Sequence, residues 1–387
     1  MPINFVEITP NKVQEIKNFL DFPEEIYKND PNWIRPLNKD IEAVFNKEQN
    51  KFFRHGECLR FNVYKKDKQV GRFAVFYNEK QKLKLKTGGI GFFECVNNQS
   101  IANAIFDYAK KWLESKGYEA MDGPINFGER DKFWGLVKEG FFPPLYGMNY
   151  NPPYYVDLFE NYGFQVYFNQ MCYGLKVEDN FDEKMVERAN KIALDKNFHV
   201  KNVTKKKLKQ FAKDFTYIYN KAWASHAGNK TINEKQAIKM FETMKPVMDE
   251  SISWFTYYKN EPIAFWINLP DLNQYFKYLN GKFTLWHKLK FLYYKSVVKN
   301  PNMVGLVFGI IPEYQGKGVD SFMIINSTKS FIKTTNYSNY EMQWIGDFNP
   351  KMMNIAKTLN AQVTRTLATY RKIFNENIPF ERYPIVS

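Results

Sequence analysis

The sequence predicts an α/β fold built from two halves with the same order of elements. Strand patterns alternate with helix patterns along the chain, as in α/β proteins. Segments 5–20 and 199–215 begin alike, each with a short alternating strand, a threonine (Thr9 or Thr204) and a helix. A glycine-containing loop, 311–325, follows an apolar strand in the second half. The repeated order indicates a duplicated unit.

In the first half, period-two patterns predict strands and a 3.6-residue pattern predicts a long helix. Ile101, Ile105 and Leu113 lie on one stripe of that helix, and Gly117 ends it. A short helix, opened by proline and closed by glycine, precedes the second half. The predicted elements are strands 58–66, 69–78, 88–96 and 118–127 and helices 100–117 and 150–164.

The second half repeats this order, and each crossover helix predicts one parallel strand pair. Its central strand is apolar throughout, which is typical of a strand buried on both faces. Asn349 is the expected N-cap of the last helix, with Pro350 at its first position. The predicted elements are a hairpin at 253–270, strands 302–311, 340–348 and 362–374, and helix 349–361.

An acidic, polar segment at 176–184 suggests a boundary between domains 1–178 and 185–387. Segment 272–300 has no counterpart in the first half and is rich in aromatic residues and lysine. Two interpretations of this insertion stay open: it shapes a pocket or lid, or it is a packed helical hairpin with no role in binding.

Composition narrows the class of protein. The chain has 387 residues, of which 44% are hydrophobic and 18% aromatic, so a packed core is expected rather than disorder. Three scattered cysteines and four scattered histidines form no metal or disulfide pattern, so no metal is predicted. No signal peptide or spanning segment is expected, and the lack of a disulfide pattern among the cysteines suggests a reducing cytoplasm. The net charge of +14 indicates either solvated faces or attraction to a nucleotide, a tRNA or an anionic membrane.

The loop after the apolar strand is suited to a diphosphate. A helix start offers free N–H groups and the positive end of the helix dipole. Gly316 and Gly318 let the backbone approach phosphates without a Cβ, and Gln315 could brace the loop. The pattern is neither a P-loop nor the dinucleotide GxGxxG motif. The alternative is an ordinary strand-to-helix turn.

The stretch "IPEYQGKGVD" resembles the acetyl-CoA loop of the GCN5-related N-acetyltransferase (GNAT) superfamily, whose pattern is Gln/Arg-x-x-Gly-x-Gly/Ala. Gln315 and Gly318 match, whereas Asp320 replaces the last small residue. The resemblance implies two tandem GNAT-like domains, each a mixed, mostly antiparallel sheet flanked by helices. It also implies acyl-CoA or acetyl-CoA as co-substrate. The implied CoA site comprises Phe308, Gly309, Ile310, Ile311, Gln315, Gly316, Lys317, Gly318, Val319, Asp320 and Asn349.

The first half is similar to the same fold, but its loop "CVNNQSIANAIF" has no glycines, so we expect a degenerate copy without a CoA site. Stretches such as "GFFECVNN" and "GPINFGERDKFWGLVKEG" resemble a bacterial tandem-GNAT subgroup. That subgroup includes acyl-CoA-dependent N-acyltransferases of the bacterial ceramide-synthase type.

GNAT chemistry is direct attack of an amine on a thioester, which needs a proton acceptor and a polarised carbonyl. Glu341, Asp347 and His226 are the candidates to bind or deprotonate the amine. Each has an ordinary alternative: a surface carboxylate, a helix cap and a surface histidine. The family's usual leaving-group tyrosine falls on Ala356, so the common general acid is missing.

Three functions remain open at this stage. The first is an acyl-CoA-dependent N-acyltransferase acting on an amine, with a lipid-like or long-chain substrate and a peripheral membrane contact. The second is an aminoacyl-tRNA-dependent transferase of the peptidoglycan-bridge type, and the third is a catalytically inactive GNAT-fold binding protein. The CoA-type loop favours the first, so nucleic acid is not the expected partner. The apolar walls of a long-chain pocket are expected from the insertion, at Phe276, Tyr278, Phe283, Trp286 and Phe291.

Overall fold

The structure is a computed structural model that describes residues 2–81, 83–223 and 231–385. The first half contains β1 (Ile3–Glu7), α1 (Val13–Ile26), α2 (Asn38–Phe45), β2 (Gly56–Lys65), β3 (Lys68–Asn78), β4 (Thr87–Cys95), α3 (Gln99–Ser115), β5 (Ala120–Gly123), β6 (Leu136–Glu139), α4 (Tyr155–Tyr162) and β7 (Gln165–Lys176). Helix α5 (Glu183–Ala193) connects the halves.

The second half repeats the order, except that β6 has no counterpart there, and adds two helices in the insertion. It contains β8 (Phe198–Asn202), α6 (Leu208–Trp223), α7 (Glu234–Met244), β9 (Trp254–Tyr258), β10 (Glu261–Pro270), α8 (Asn273–Phe276), α9 (Leu285–Val297), β11 (Asn302–Ile310), α10 (Val319–Phe331), β12 (Asn339–Gly346), α11 (Pro350–Thr358) and β13 (Gln362–Ile373). The predicted order of elements and the duplication are confirmed.

The strands within the described ranges form one mixed, mainly antiparallel sheet that runs through both halves. Its order is β1-β2-β3-β4-β5-β13-β7-β12-β11-β10-β9-β8, with β6 paired to β13. The last strand of each half therefore pairs with the other half: β13 lies against β5, and β7 lies against β12. The boundary between residues 178 and 185 stays a prediction, and the sheet crosses it.

Two parallel pairs occur among the strands of the described residues, each around a crossover helix as predicted. In the first half Thr87–Gly89 of β4 pairs with β5, and in the second half Asn302–Gly305 of β11 pairs with β12. Strand β11 continues to Ile310 and β12 to Gly346 without further pairing to each other. The two strands of the second half therefore separate beyond Gly305.

Helices cover both faces of the sheet, and each half has its own hydrophobic core. Helices α1 and α6 pack on one face, whereas α3 and α10 cover the other. The predicted stripe of α3 is buried. Large buried aromatic side chains fill both cores, among them Phe61, Phe73, Phe106 and Phe159 in the first and Phe241, Phe255 and Phe265 in the second.

Three negative findings apply to the part of the chain that the structure describes. No helix there combines the length and apolar character needed to cross a bilayer. No group of potential ligands there is arranged to hold a metal ion. The three cysteines (Cys58, Cys95 and Cys172) are buried and free.

Candidate functional site

The predicted diphosphate loop begins where β11 has separated from β12. The Gln315 side-chain amide donates to the carbonyl of Ile310 at 2.9 Å, so Gln315 braces the loop against the strand end. Gly316 has φ +71° and Gly318 has φ +90°, a left-handed backbone that favours glycine. Apart from the two chain neighbours, no atom of the described residues lies within 4 Å of a Cβ placed on Gly316. The backbone at Gly316 is thus open to an approaching group.

Helix α10 starts at this loop with Gly318 as N-cap and without a side-chain cap. Its first amide N–H groups therefore lack the side-chain acceptor that usually satisfies them. Asp320 is half-buried in the first turn. A free helix start of this kind favours an anion through its N–H groups and the helix dipole.

Helix α5, from the segment between the halves, packs on α10 beside this loop. A Cβ on Gly318 would lie 3.1 Å from the Cβ of Arg188, so Arg188 stands next to the helix start. The Arg188 side chain is exposed and makes no hydrogen bond or ion pair to any residue that the structure describes. A free guanidinium at this point would suit a phosphate. Sequence analysis missed Arg188 because it treated the segment before it as a linker.

A cavity of about 240 Å³ lies between α10 and α11, on the side of the sheet where β11 and β12 separate. Its walls are largely apolar and come from both helices, both strands and the segment after β7. Most of the lining side chains are Leu175, Val177, Phe181, Met185, Trp266, Met303, Phe308, Ile324, Phe331, Tyr340, Met342, Met352, Ile355 and Leu359. This chamber is called the donor cavity below.

The Tyr340 hydroxyl lies where the two strands begin to separate. A Cβ on Gly305 would be 2.0 Å from the Tyr340 oxygen, so the hydroxyl sits directly over the last paired residue of β11. The Trp266 indole N–H donates to this oxygen at 2.9 Å. Burial raises the pKa of Tyr340, so the hydroxyl stays protonated near neutrality.

A second cavity, of about 620 Å³, adjoins the first. Five residues line both: Leu175, Lys176, Met303, Tyr340 and Asn360. The remaining walls are more polar and come from both halves and from the start of the insertion. They include Phe142, Pro143, Leu145, Asp271, Gln274, Val304, Glu341, Thr364 and Arg365. This chamber is called the acceptor cavity below.

Asp271 is a buried carboxylate in the wall of the acceptor cavity. It accepts hydrogen bonds from the backbone N–H of Asn273 at 3.1 Å and from the Gln274 amide at 2.8 Å. Burial raises the pKa of Asp271, and the nearby charge of Glu341 raises it further. A carboxylate with a raised pKa in a cavity is a typical proton acceptor. Sequence analysis missed Asp271, since an aspartate after a strand usually marks a turn.

Glu341 and Asp347 are both held by arginine. Arg365 donates to Glu341 through Nε at 2.7 Å and Nη2 at 3.0 Å. Arg382 pairs with Asp347 at 2.5 Å. Asp347 is not the cap of α11, because the side chain of Asn349 accepts from the first turn of that helix, as predicted. The arrangement brings Glu341 to the acceptor cavity and leaves Asp347 outside both cavities.

Other predicted positions lie elsewhere. His226 falls outside the described residues. Ala356 is fully buried against Tyr173 and Ile345, so this position does not face the donor cavity. The insertion aromatics line neither cavity, and the expectation that they form the pocket walls is wrong. Phe276 and Phe291 pack on each other and on the hydrophobic core of the second half, and Phe283 packs beside them, whereas Tyr278 and Trp286 are exposed.

In the first half, the region at the end of β4, which corresponds to the loop and cavity beyond β11 in the second half, is filled by side chains. Tyr155 accepts from the backbone N–H of Cys95, at the end of β4, and donates to Glu94 at 2.8 Å. Tyr154 donates to the carbonyl of Cys95. Arg72 pairs with Glu94 at 3.2 Å. Helix α3 packs directly on α4, and a cavity beside this cluster measures only about 60 Å³.

The chain was compared with known proteins and structures. No protein-family model matches it. It is 24% identical over 369 residues to the bacterial ceramide synthase of Caulobacter vibrioides, covering 92% of this chain and 94% of that protein. It is 22% identical over 371 residues to protein YghO of Escherichia coli, covering 92% and 93%.

Among solved structures, the fold matches a tandem GNAT protein from the clavulanic acid biosynthesis pathway. The TM-score is 0.54, with 8% identity, and the match covers 98% of this chain and all of that one. At this identity the likeness concerns the fold alone. The chain therefore has the GNAT fold in tandem, and over most of its length its sequence resembles that of a bacterial ceramide synthase.

Proposed function

We propose that this protein transfers an acyl group from acyl-CoA to an amine. The fold is that of tandem GNAT proteins, and a relative over nearly the whole length is named a ceramide synthase. Ceramide is an N-acylated long-chain amine, which fits this proposal. The observation that carries it is the difference between the halves. The second half has separated strands, an open glycine loop and the donor cavity, whereas Tyr154, Tyr155 and Glu94 fill the first.

The residues of the second half fit a CoA thioester. Backbone N–H groups at Gly316 and the start of α10 would hold the diphosphate, and Arg188 would add a positive charge. The acyl arm would enter between β11 and β12, and the apolar donor cavity would take a long chain. This assignment moves the long-chain pocket from the insertion to the space between α10 and α11.

The acceptor cavity would receive the amine. Asp271 would take a proton from the ammonium group, so that the free nitrogen attacks the thioester carbon. The carbon–sulfur bond then breaks, and the Tyr340 hydroxyl would give its proton to the departing thiolate. The nitrogen loses its second proton as the amide forms, and that proton would restore the Tyr340 hydroxyl. The two cavities meet at Tyr340, which suits transfer between them. Glu341 is paired with Arg365, so it would hold the wall of the acceptor cavity in place rather than act as the base.

The test is release of free CoA thiol from palmitoyl-CoA with a panel of amines, with mass spectrometry of the amide. We expect thiol release that depends on a long-chain amine, and a fall of about a hundredfold or more in rate for Asp271→Asn and Tyr340→Phe. Unchanged affinity for CoA in both variants would separate chemistry from binding. Binding of the thioester without amine-dependent release would overturn the proposal and support a binding protein.

A further inference from the structure

Helix α9, in the insertion, carries an apolar surface that the fold does not use. Its inner side buries Phe291 and partly buries Tyr294 and Val298 against the core of the second half. Its outer side is apolar as well and points to solvent. This outer face consists of Leu285, Trp286, Leu289, Leu292, Tyr293 and Val297, which are 77%, 62%, 54%, 56%, 61% and 53% exposed. Exposed apolar patches of this kind mark interaction surfaces.

The same segment is strongly basic. Residues 277–300 include six lysines and no aspartate or glutamate. Of these, Lys277, Lys282, Lys288 and Lys299 are exposed. Positive charge beside exposed leucine, tryptophan and tyrosine is the composition of helices that lie in the interface of an anionic membrane. A second copy of this chain would bring like charges together, which disfavours self-association.

We propose that the outer face of α9 binds the surface of an anionic bilayer. The helix lies parallel to the surface, with its leucines among the acyl chains and Trp286 and Tyr293 at the headgroup level. With 13 residues it is shorter than the ~20 residues that span a bilayer. The lysines at its flanks contact the lipid phosphates.

The position of the insertion gives this contact a consequence. It follows β10 directly at Asp271, and Gln274 of α8 lines the acceptor cavity. Docking through α9 therefore brings one wall of that cavity close to the lipid, where a long-chain amine resides. This consequence rests on the proposed function, whereas the docking itself does not.

The experiment is flotation of the full chain with vesicles of phosphatidylcholine alone or mixed with phosphatidylglycerol. We expect binding to the mixed vesicles only. The double variant Leu289→Glu with Leu292→Glu should lower the partition coefficient about tenfold or more, since two exposed leucines that insert among the acyl chains become charges. The matched control is Leu194→Glu, because Leu194 is 82% exposed and lies at the end of α5. Circular dichroism and melting temperature report whether each variant folds.

A second variant tests the charges. Substitution of Lys282, Lys288 and Lys299 by glutamine should weaken binding to the mixed vesicles and reduce its sensitivity to salt. Equal binding by wild type and the double leucine variant would overturn the proposal. The proposal would also be overturned if the wild type bound no vesicles but formed a dimer, measured by sedimentation, that the double leucine variant did not form. Acyl transfer to a long-chain amine dispersed in neutral detergent, without vesicles, is measured in parallel, so a failure of the proposed function is seen separately.

Discussion

The role of Glu341 can be decided by removing it. Its carboxylate accepts two hydrogen bonds from Arg365 and one, at 2.8 Å, from the Thr364 hydroxyl. The Arg365 side chain is 5% exposed and that of Glu341 is 18% exposed. Glu341→Ala therefore leaves a buried guanidinium without its counter-charge. We expect the variant to unfold more easily while Asp271 remains available for chemistry.

The size of this effect follows from the contacts. Loss of one partner of a buried ion pair costs about 3–5 kcal/mol in the free energy of unfolding. Arg365 also donates to the carbonyls of Phe142 and Pro143, at 3.3 and 3.1 Å, which places the expected loss near the lower end. In a chain of this length each kcal/mol lowers the melting temperature by about 2 °C. The expected decrease in melting temperature for Glu341→Ala is thus about 6 °C.

The assay is thermal and urea unfolding, with acyl transfer measured well below the melting temperature. The matched control is Glu381→Ala, because the Lys84–Glu381 pair is 80% and 63% exposed and should contribute about 1 kcal/mol or less. The double variant Glu341→Ala with Arg365→Met should recover part of the lost stability. An unchanged unfolding curve together with lost transfer would refute the structural role and make Glu341 the proton acceptor.

Three further predictions concern the proposed site. Arg188→Gln should raise the Kd for CoA about tenfold, since a charged contact to phosphate is lost. The control Lys191→Gln should leave the Kd unchanged, because Lys191 already pairs with Glu187 on the same helix. Calorimetric titration measures both Kd values. Burial raises the pKa of Asp271 above its ordinary value of 3.8. The protonated form of Asp271 therefore stabilises the fold fully below pH 3.8, and this contribution is lost as the pH rises through the raised pKa. The Asp271→Asn variant should therefore become more stable relative to wild type as the pH increases through this range. Urea unfolding at a series of pH values measures the difference in the free energy of unfolding. Ile355→Trp should fill the donor cavity and weaken palmitoyl-CoA binding but not CoA binding, with the exposed Asn354→Trp as control.

Each of these has a clear contrary result. Equal CoA affinity in the Arg188 and Lys191 variants would remove α5 from the diphosphate site. A stability difference between Asp271→Asn and wild type that is constant with pH would contradict the raised pKa. Equal loss of CoA and palmitoyl-CoA binding in the tryptophan variant at Ile355 would mean that the cavity does not hold the acyl chain.

Gly318 is a poor position for a substitution that is meant to block the diphosphate loop. Its left-handed backbone disfavours any side chain, and a Cβ there would press on Arg188 of α5. A bulky substitution would therefore disturb helix packing as well as the loop. Within the described part of the chain, only the two neighbours of Gly316 come within 4 Å of a Cβ placed on it. A substitution at Gly316 therefore perturbs the loop through backbone strain and not through a clash with a packed helix.

The sequence predicts most of the fold because each element carries its own signal. The stripe of α3, the cap at Asn349 and the glycine loop are all local patterns, and all are found. The exchange of β7 and β13 between halves is not predictable in this way. An apolar strand shows that it is buried, but its pattern does not identify the neighbouring strand.

The site was predicted less completely, because it is assembled from distant segments. The acceptor cavity combines residues near 142 and 365 with Asp271, which no local pattern connects. Arg188 reaches the loop only because α5 packs on α10. The aromatic residues of the insertion carry a strong signal, but composition alone does not separate an inner core from an exposed face.

The most direct measurement is a calorimetric titration of the intact chain with CoA and with palmitoyl-CoA. The open loop and donor cavity of the second half, set against the filled counterpart in the first, predict one molecule bound per chain. They also predict that palmitoyl-CoA binds more tightly than CoA. Absence of binding to either compound, or two equivalent sites per chain, would contradict the assignment.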